Sequence, residues 1–214
     1  MYRRATMATM SASAATAVLL IARLALAQID DPVGRVTMVV GEVRAERSNS
    51  SVALARRSEV YSGESITTSV DGHVQFRLTD SSLISLRCDS SFRILEFSFL
   101  DDPSEDTAVF QLLRGRVRMI TGAVPSRNNQ RFRLLVGDSE ISVHGTDFEV
   151  FFDPLDRTVY LGVYDGGIAV TNEQGSAELG IDKAERFATI GEGEPPVAQT
   201  NQPAGSLAHD FQCR

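Results

Sequence analysis

The sequence predicts an all-β fold, built as a sandwich or a solenoid-like stack of short and mostly antiparallel strands. Over residues 74–79, apolar and polar residues alternate with the period of two that a strand with one wet face requires. Similar segments recur at intervals of about 8 to 12 residues, with Gly, Asp, Ser or Asn between them. No segment after residue 27 has a convincing helical period, and the strongest helical candidate is a weak turn over 50–58.

The predicted strands succeed one another through most of the chain. Turn residues such as Asp71-Gly72 separate them, because these residue types accept the backbone angles of tight turns. The predicted segments are 36–40, 42–45, 66–68, 74–79, 83–86, 92–97, 109–113, 117–120, 132–136, 141–143, 148–152, 158–163, 167–171 and 185–190.

Residues 1–27 have the three parts of a secretory signal peptide. Two arginines near the start precede an uncharged stretch that extends to residue 22, and small residues then mark a cleavage site between Ala27 and Gln28. A retained membrane anchor is the alternative, but it needs about 20 strongly apolar residues, and Arg23 interrupts this stretch. We therefore expect a periplasmic or secreted protein with no transmembrane span after cleavage.

The charge balance excludes one class of partner. Cleavage would remove Arg3, Arg4 and Arg23, which leaves 18 basic against 28 acidic residues and a net charge of −10. Nucleic acids and anionic lipid surfaces need a concentrated basic face. We therefore expect no nucleic-acid partner.

The chain has two cysteines, Cys88 and Cys213. In an exported protein an even number of cysteines favours a disulfide. Closing so long a loop could stabilise the fold by roughly 4–5 kcal/mol. The alternative is two unpaired thiols.

No residue pattern predicts a metal site. The three histidines, His73, His144 and His209, have no ligand spacing with one another or with the cysteines, whereas a structural zinc site needs about four such ligands. The acidic segment 101–106 lacks the oxygen spacing of an EF-hand loop. We expect it to be a solvated loop, and we expect no bound cofactor.

No residue pattern predicts catalysis either. Ser142, His144 and Asp147 are triad residue types, but they lie within six residues, whereas a triad draws its base from elsewhere in the fold. The same stretch fits a structural role, since glycine inside a strand marks a bulge or bend and Thr146 can bond the backbone there. We therefore expect Gly145-Thr146 to shape a bend, and we predict that the protein is not an enzyme.

Four elements, taken in order, resemble the FecR domain family. They are GESITT at 63–68, followed by the turn at Gly72 and LTDSSLISL at 78–86, then LLRGRV at 112–117, and finally ISVHGTDFEV at 141–150. The motif residues that carry the resemblance are Gly63, Thr67, Gly72, Asp80, Gly115, Gly145, Thr146 and Phe148. Two residues depart from the family pattern: Ser81 stands where glycine is usual, and His144 stands where arginine or an aliphatic residue is common.

The residue patterns and the resemblance together predict five parts. They are a signal peptide (1–27), N-terminal strands and a linker (28–59), the FecR-like β domain (60–152), additional closing strands (153–190) and a loose tail (191–214). Signalling members of the family carry a cytoplasmic segment that holds a sigma factor, and the residues before this domain do not resemble that segment. The sigma-regulating role is therefore not carried over.

The sequence leads to two functional hypotheses. The first is a non-catalytic exported module that binds or senses a protein or cell-envelope component through its sheet surface. The alternative is a structural or assembly scaffold of the cell envelope, which would associate through an exposed edge strand.

Overall fold

The computed structural model describes residues 31–48 and 50–203. The predicted signal peptide and its cleavage site at Ala27 and Gln28 lie outside the described residues, as does Cys213. Within the described ranges, no helix is long and apolar enough to cross a membrane.

Seventeen strands form almost all of the regular structure in the described part of the chain. Their bounds are β1 Gly34–Val40, β2 Val43–Arg47, β3 Ser50–Ala53, β4 Glu59–Val60, β5 Ser65–Thr68, β6 His73–Leu78, β7 Leu83–Leu86, β8 Ser91–Ser98, β9 Thr107–Ile120, β10 Phe132–Val136, β11 Ser139–Val143, β12 Asp147–Asp153, β13 Thr158–Asp165, β14 Gly167–Asn172, β15 Gly175–Gly180, β16 Phe187–Ile190 and β17 Val197–Gln199. A short helix, α1 Ala123–Arg127, and two 3-10 turns, Pro103–Glu105 and Asn129–Arg131, complete the regular structure of these ranges.

The strands form two layers, which we call the first and the second sheet. The first sheet has the order β4-β1-β6-β7-β9-β12-β13-β16-β17. The second sheet has the order β3-β2-β5-β8-β9-β10-β11-β14-β15. Every described pairing is antiparallel except that of β9 with β10. The chain passes between the layers in short runs of one or two strands, which confirms the predicted all-β, mostly antiparallel fold.

Strand β9 belongs to both sheets. Its first half pairs with β8 and β10 in the second sheet, and its second half pairs with β7 and β12 in the first. The change occurs at Gly115, whose φ of +80° is rarely adopted by residues with a side chain. A Cβ atom there would collide with the Ser90 hydroxyl. The motif glycine therefore permits β9 to cross from one layer to the other.

A row of five phenylalanines fills the space between the sheets. Phe76, Phe92, Phe110, Phe132 and Phe148 are all almost completely buried, and neighbouring ring centroids lie 5.6–6.5 Å apart. Phe76 and Phe148 come from the first sheet and the other three from the second. Burial of each ring contributes about 1.5–3 kcal/mol, and the tilted contacts add to this. Alternate residues of the strands thus supply one continuous core.

Several details differ from the sequence-based expectation, including the absence of β4 and β15 from the predicted strands. The segment predicted as a weak helical turn over 50–58 begins with β3, because Ser50–Ala53 pairs with β2. Helix α1 was not predicted, since five residues are too few to show a helical period. The segment 191–214, predicted as a loose tail, contains β17. This strand is three residues long and forms backbone hydrogen bonds with the outer edge of β16.

Candidate functional site

The family motif residue Asp80 is a structural anchor. Its buried carboxylate accepts hydrogen bonds from the backbone N–H and the hydroxyl of Ser82 at 2.9 Å, and from the N–H of Val124 at 3.3 Å. Val124 lies in the first turn of α1, where N–H groups have no partner within the helix. Asp80 therefore ties the β6–β7 turn to the start of α1, and this explains an aspartate at this position.

The motif residues Gly63 and Gly72 lie at turns, and the motif residue Thr67 lies within β5. The N–H of Gly63 donates to Ile94 O at 2.8 Å, and that of Gly72 donates to Ser69 O at 2.9 Å. Thr67 pairs with Arg44 of β2 and Ser91 of β8. These residues hold the β5 region in place, and none of them lines a reactive site.

Gly145 and Thr146 form the corner where the chain leaves the second sheet after β11 and enters the first at β12. Gly145 has a φ of +96°. The N–H of Thr146 donates to Thr121 Oγ1 at 2.7 Å, and its hydroxyl donates to Gly167 O at 2.7 Å. These bonds link β9, β12 and β14, so the predicted bend is present and has a structural purpose.

The three triad residue types do not come together. Ser142 pairs with Ala169 in the second sheet. His144 has its Nδ1 2.9 Å from the side-chain amide of Asn129, and the Asp147 carboxylate binds Arg118 in the first sheet.

The acidic segment 101–106 also has a structural role. Asp106 is buried and accepts the N–H of Leu100 at 2.9 Å, and its second oxygen lies 3.3 Å from Arg127. Asp102 caps the following 3-10 turn by accepting the N–H of Ser104, which lowers the pKa of its carboxyl. In the described parts of the chain, no group of His, Cys, Asp and Glu side chains is arranged to hold a metal ion.

The outer faces of the two sheets differ in chemistry. The outer face of the second sheet mixes small polar residues with arginines such as Arg44, Arg93 and Arg133, whereas on the first sheet the arginines lie against aromatic rings. The small polar residues of the second sheet include Thr67, Gln111, Ser142, Thr171 and Ser176; the arginines and aromatic residues of the first include Arg87, Arg116, Arg118, Phe151, Tyr160, Tyr164 and Phe187. Arginine and tyrosine are enriched in binding interfaces. The outer face of the first sheet is therefore the candidate site.

Arg118 is fixed on this face by Asp147 and Tyr164. Its Nε and Nη2 atoms donate to the two carboxylate oxygens of Asp147 at 2.9 and 2.7 Å. Its guanidinium lies 4.7 Å from the centre of the Tyr164 ring, within the range of a cation–π contact. The Asp147 hydrogen bonds raise the pKa of Arg118, which therefore keeps its charge.

Glu149 is buried although it points away from the core. The exposed fraction of its side chain is 5%. One oxygen accepts the Tyr164 hydroxyl at 2.8 Å, and the other lies 3.5 Å from Arg116 Nη1 and accepts no hydrogen bond from the described residues. Burial, and then the Glu149 charge, raise the pKa of the Tyr164 hydroxyl far above its usual value. We call Arg116, Arg118, Asp147, Glu149 and Tyr164 the charged cluster.

A pocket of about 230 Å³ opens beside the charged cluster. Its lining combines polar residues with aliphatic ones; the polar residues are His73, Gln75, Ser85, Arg87 and Arg118, and the aliphatic residues are Met38, Leu83 and Ile120. Met38 and Ile120 are well exposed. Burial lowers the pKa of His73, and the nearby Arg87 lowers it further. The imidazole is therefore neutral at pH 7, and the arginines supply the charge of the pocket.

The electrostatic balance around the pocket is positive. The lining of the pocket includes two arginines, Arg87 and Arg118, and no carboxylate, and Arg118 is paired with Asp147 outside the lining. Burial lowers the pKa of Arg87; the charge of Glu149 opposes this effect, and the charges of Arg116 and Arg118 add to it. Within an acidic chain, this is a local site suited to a carboxylate ligand flanked by apolar groups.

A larger concavity of about 540 Å³ lies beside β3, and its lining combines four serines with Glu46, Arg47, Gly63, Arg93 and Leu95. It is more open than the pocket on the first sheet and lacks a buried ionic group. We therefore place the candidate site on the first sheet.

The sequence alone did not single out the residues of this site. The alternation Arg116-Val117-Arg118 shows two arginines on one strand face, but their neighbours from β7, β12 and β13 become visible only with the strand order. The predicted disulfide between Cys88 and Cys213 stays a prediction, because Cys213 lies outside the described residues.

The FecR family model, described as "FecR protein", matches residues 64–169. The match begins just before β5 and ends within β14, so it includes the strands that carry the charged cluster. No curated protein matches the chain.

Two crystal structures of a candidate anti-sigma factor from Parabacteroides distasonis ATCC 8503, at 1.65 and 2.50 Å resolution, have a similar fold. Each aligns with a TM-score of 0.51 and 15% sequence identity, over 64% of this chain and 60% of the other. The alignment thus spans three fifths of that protein. At this identity the likeness shows the fold alone.

Proposed function

This chain belongs to the FecR domain family, and from that premise we propose that it is a non-catalytic sensing module that acts in the periplasm. It binds a protein partner through the outer face of the first sheet. The predicted signal peptide supports the location, and the protein-binding role is consistent with the candidate regulatory role of its structural relative.

The observation that carries this proposal is the pocket beside the charged cluster. Arg87 and Arg118 supply positive charge to its lining, and Met38, Leu83 and Ile120 supply apolar groups. Such a combination of fixed arginines and exposed aliphatic groups is typical of interface centres. The partner therefore presents an acidic side chain flanked by apolar ones.

The experiment compares two substitutions on the same strand. Ile120→Glu places a negative charge at the pocket rim, whereas Leu113→Glu does the same on the outer face of the second sheet. The two side chains are similarly exposed, 44% and 38%. In a pull-down from periplasmic extract, Ile120→Glu should abolish capture of a discrete partner that wild type and Leu113→Glu both retain. Equal capture by all three proteins would refute this binding face.

One observation favours the alternative role as an assembly scaffold. Edge strand β3 has the sequence Ser-Ser-Val-Ala and is exposed along its length, with no charge or proline to prevent pairing. Size-exclusion chromatography separates the hypotheses. A self-assembling species that Val52→Lys converts to monomer, with no partner captured, would favour the scaffold.

A further inference from the structure

We propose that β1 accepts an extended segment of the protein partner along residues 37–40, so that the segment adds one strand to the first sheet. The segment has apolar residues at alternate positions and carboxylates at its C-terminal end. This inference rests on the proposed function, because it names how the partner docks beside the pocket.

Strand β1 is paired along only part of one edge. On one side it pairs with β6 along its whole length. On the other side, β4 pairs only with Gly34 and Arg35, and the preceding loop adds two hydrogen bonds to Val36. In the described parts of the chain, no backbone group pairs with residues 37–40 on that side. Because alternate residues of a strand direct their N–H and C=O groups to opposite sides, this edge presents free donors and acceptors.

The loop before β4 leaves β1 at Val36. Leu54 still belongs to the second layer, since its N–H donates to Val43 O at 2.9 Å. Arg57 has reached the first layer, where its N–H donates to Val36 O at 2.9 Å. Its φ of +76° is one that residues with a side chain rarely adopt. The chain therefore crosses between the layers at this sharp turn and does not cover the rest of the β1 edge.

The uncovered edge is regular and apolar. A bulge lies between Val36 and Met38, but residues 38–40 beyond it pair in regular register with residues 73–75 of β6. Met38 is 37% exposed and Val40 is 56% exposed. Protected edge strands usually carry charge or proline, and the Met-Val-Val run has neither. The edge is therefore suited to pairing with apolar residues of another strand.

Two arginines beside the edge determine the charge of the segment. Arg56 and Arg57 are exposed, and neither side chain forms an ion pair or a hydrogen bond with the described residues. By contrast, Arg35 of β1 is paired with Glu59. Opposite charges steer a partner and fix its register. In the antiparallel arrangement, which is the more stable one, carboxylates that follow the apolar residues of the segment reach Arg56 and Arg57.

Met38 connects this edge with the pocket. Its backbone belongs to the open part of β1, and its side chain lines the pocket with Gln75 and Ser85. An added strand would therefore lie at the margin of the proposed binding face. In recognition of this kind, main-chain hydrogen bonds supply affinity and alternate side chains supply specificity.

The test uses the full chain and a fluorescent peptide, Thr-Val-Thr-Val-Thr-Val-Asp-Asp. N-methylation of every second amide removes one set of main-chain donors and leaves the side chains in place. We expect saturable binding in fluorescence anisotropy. One alternate set of N-methyl groups should weaken it at least about tenfold, whereas the other set should change it less than about twofold, because only one set faces β1.

Two further measurements locate the peptide. Amide hydrogen exchange over residues 37–40 should slow at least about fivefold when peptide saturates the protein, whereas exchange over the edge strand β3 should stay unchanged. Arg56→Glu should weaken binding at least about fivefold. Arg131→Glu is the matched control, since Arg131 is also exposed and lies in the turn Asn129–Arg131, and it should bind the peptide like wild type.

Three results would overturn strand addition: no saturable binding, equal effects of the two N-methylated sets, or protection of β3 instead of β1. Equal binding by Arg56→Glu and wild type would overturn the acidic character of the segment. None of these readouts requires the partner. If Ile120→Glu abolishes partner capture while the peptide fails to bind, the binding face stands and strand addition alone fails.

Discussion

Arg118 and Asp147 are joined by two parallel hydrogen bonds, across neighbouring strands of one sheet and 29 residues apart in the chain. Paired geometry of this kind fixes both side chains as well as attracting them. Arg118 is 42% exposed and Asp147 18%, so water screens part of the attraction.

We expect Arg118→Lys to lower the free energy of unfolding by about 1 kcal/mol, because an ammonium group does not reproduce the two-point contact. Urea unfolding of the variant and the wild type measures this difference. Arg35→Lys is the matched control, since Arg35 and Glu59 form a more exposed ion pair joined by one hydrogen bond, and its effect should be close to zero. Equal losses in the two variants would argue against the special role of the paired contact.

The raised pKa of Tyr164 leads us to expect that the free energy of unfolding falls at alkaline pH. Its pKa is raised in the folded protein, so an unfolded chain loses this proton at about pH 10 while the folded protein retains it. The contribution of Tyr164 is therefore fully present below pH 10 and is lost as pH rises above that value. Urea midpoints measured between pH 9 and pH 11 should fall less steeply for Tyr164→Phe than for wild type. An unchanged slope would show that burial at Tyr164 does not disfavour the ionised form.

Ser81 offers a stabilising substitution. It has a φ of +75°, in the left-handed region that disfavours residues with a side chain by about 1–2 kcal/mol. Ser81→Gly should therefore raise the free energy of unfolding by up to about 1 kcal/mol, because the added freedom of glycine in the unfolded chain offsets part of the gain. Thermal and urea unfolding measure it. A lower stability would mean that the serine side chain compensates for its backbone conformation.

Gly145→Val tests the corner between the sheets. A Cβ atom at Gly145 meets only Ser126 Oγ, at 3.5 Å, so the cost comes from the positive φ rather than from a collision. We expect a loss of more than about 1 kcal/mol in urea unfolding. His144→Arg, at the neighbouring position with an exposed side chain, should change stability by less than about 0.5 kcal/mol. A silent Gly145→Val would contradict the structural role of this motif.

The sequence was sufficient to predict the fold class, because apolar and polar residues alternate along the strands with a period of two. The turns between the strands contain residues that favour turns, such as Gly, Asp, Ser and Asn. It also identified the corner at Gly145, since a glycine-threonine pair that interrupts an alternating segment is typical of a bend. The departure at Ser81 was visible as well, but not its positive φ.

The charged cluster could not be predicted from the sequence, and the reason is physical. Its five residues come from three strands, β9, β12 and β13, and only the order β9-β12-β13 makes them neighbours. Local periodicity reports which face of its own strand a residue occupies, but it does not report which strand lies beside it. For the same reason the sequence does not show that Arg116 and Tyr164 enclose Glu149.

Strand β9 has a consequence for how the molecule unfolds. A single strand supplies a ladder of hydrogen bonds to each layer, so neither layer can detach while the other stays intact. Loss of β9 would leave β7 and β12 without a shared neighbour in one layer, and β8 and β10 in the other. We therefore expect the described domain to unfold as one cooperative unit, in which disorder that begins on either side of Gly115 spreads to both layers.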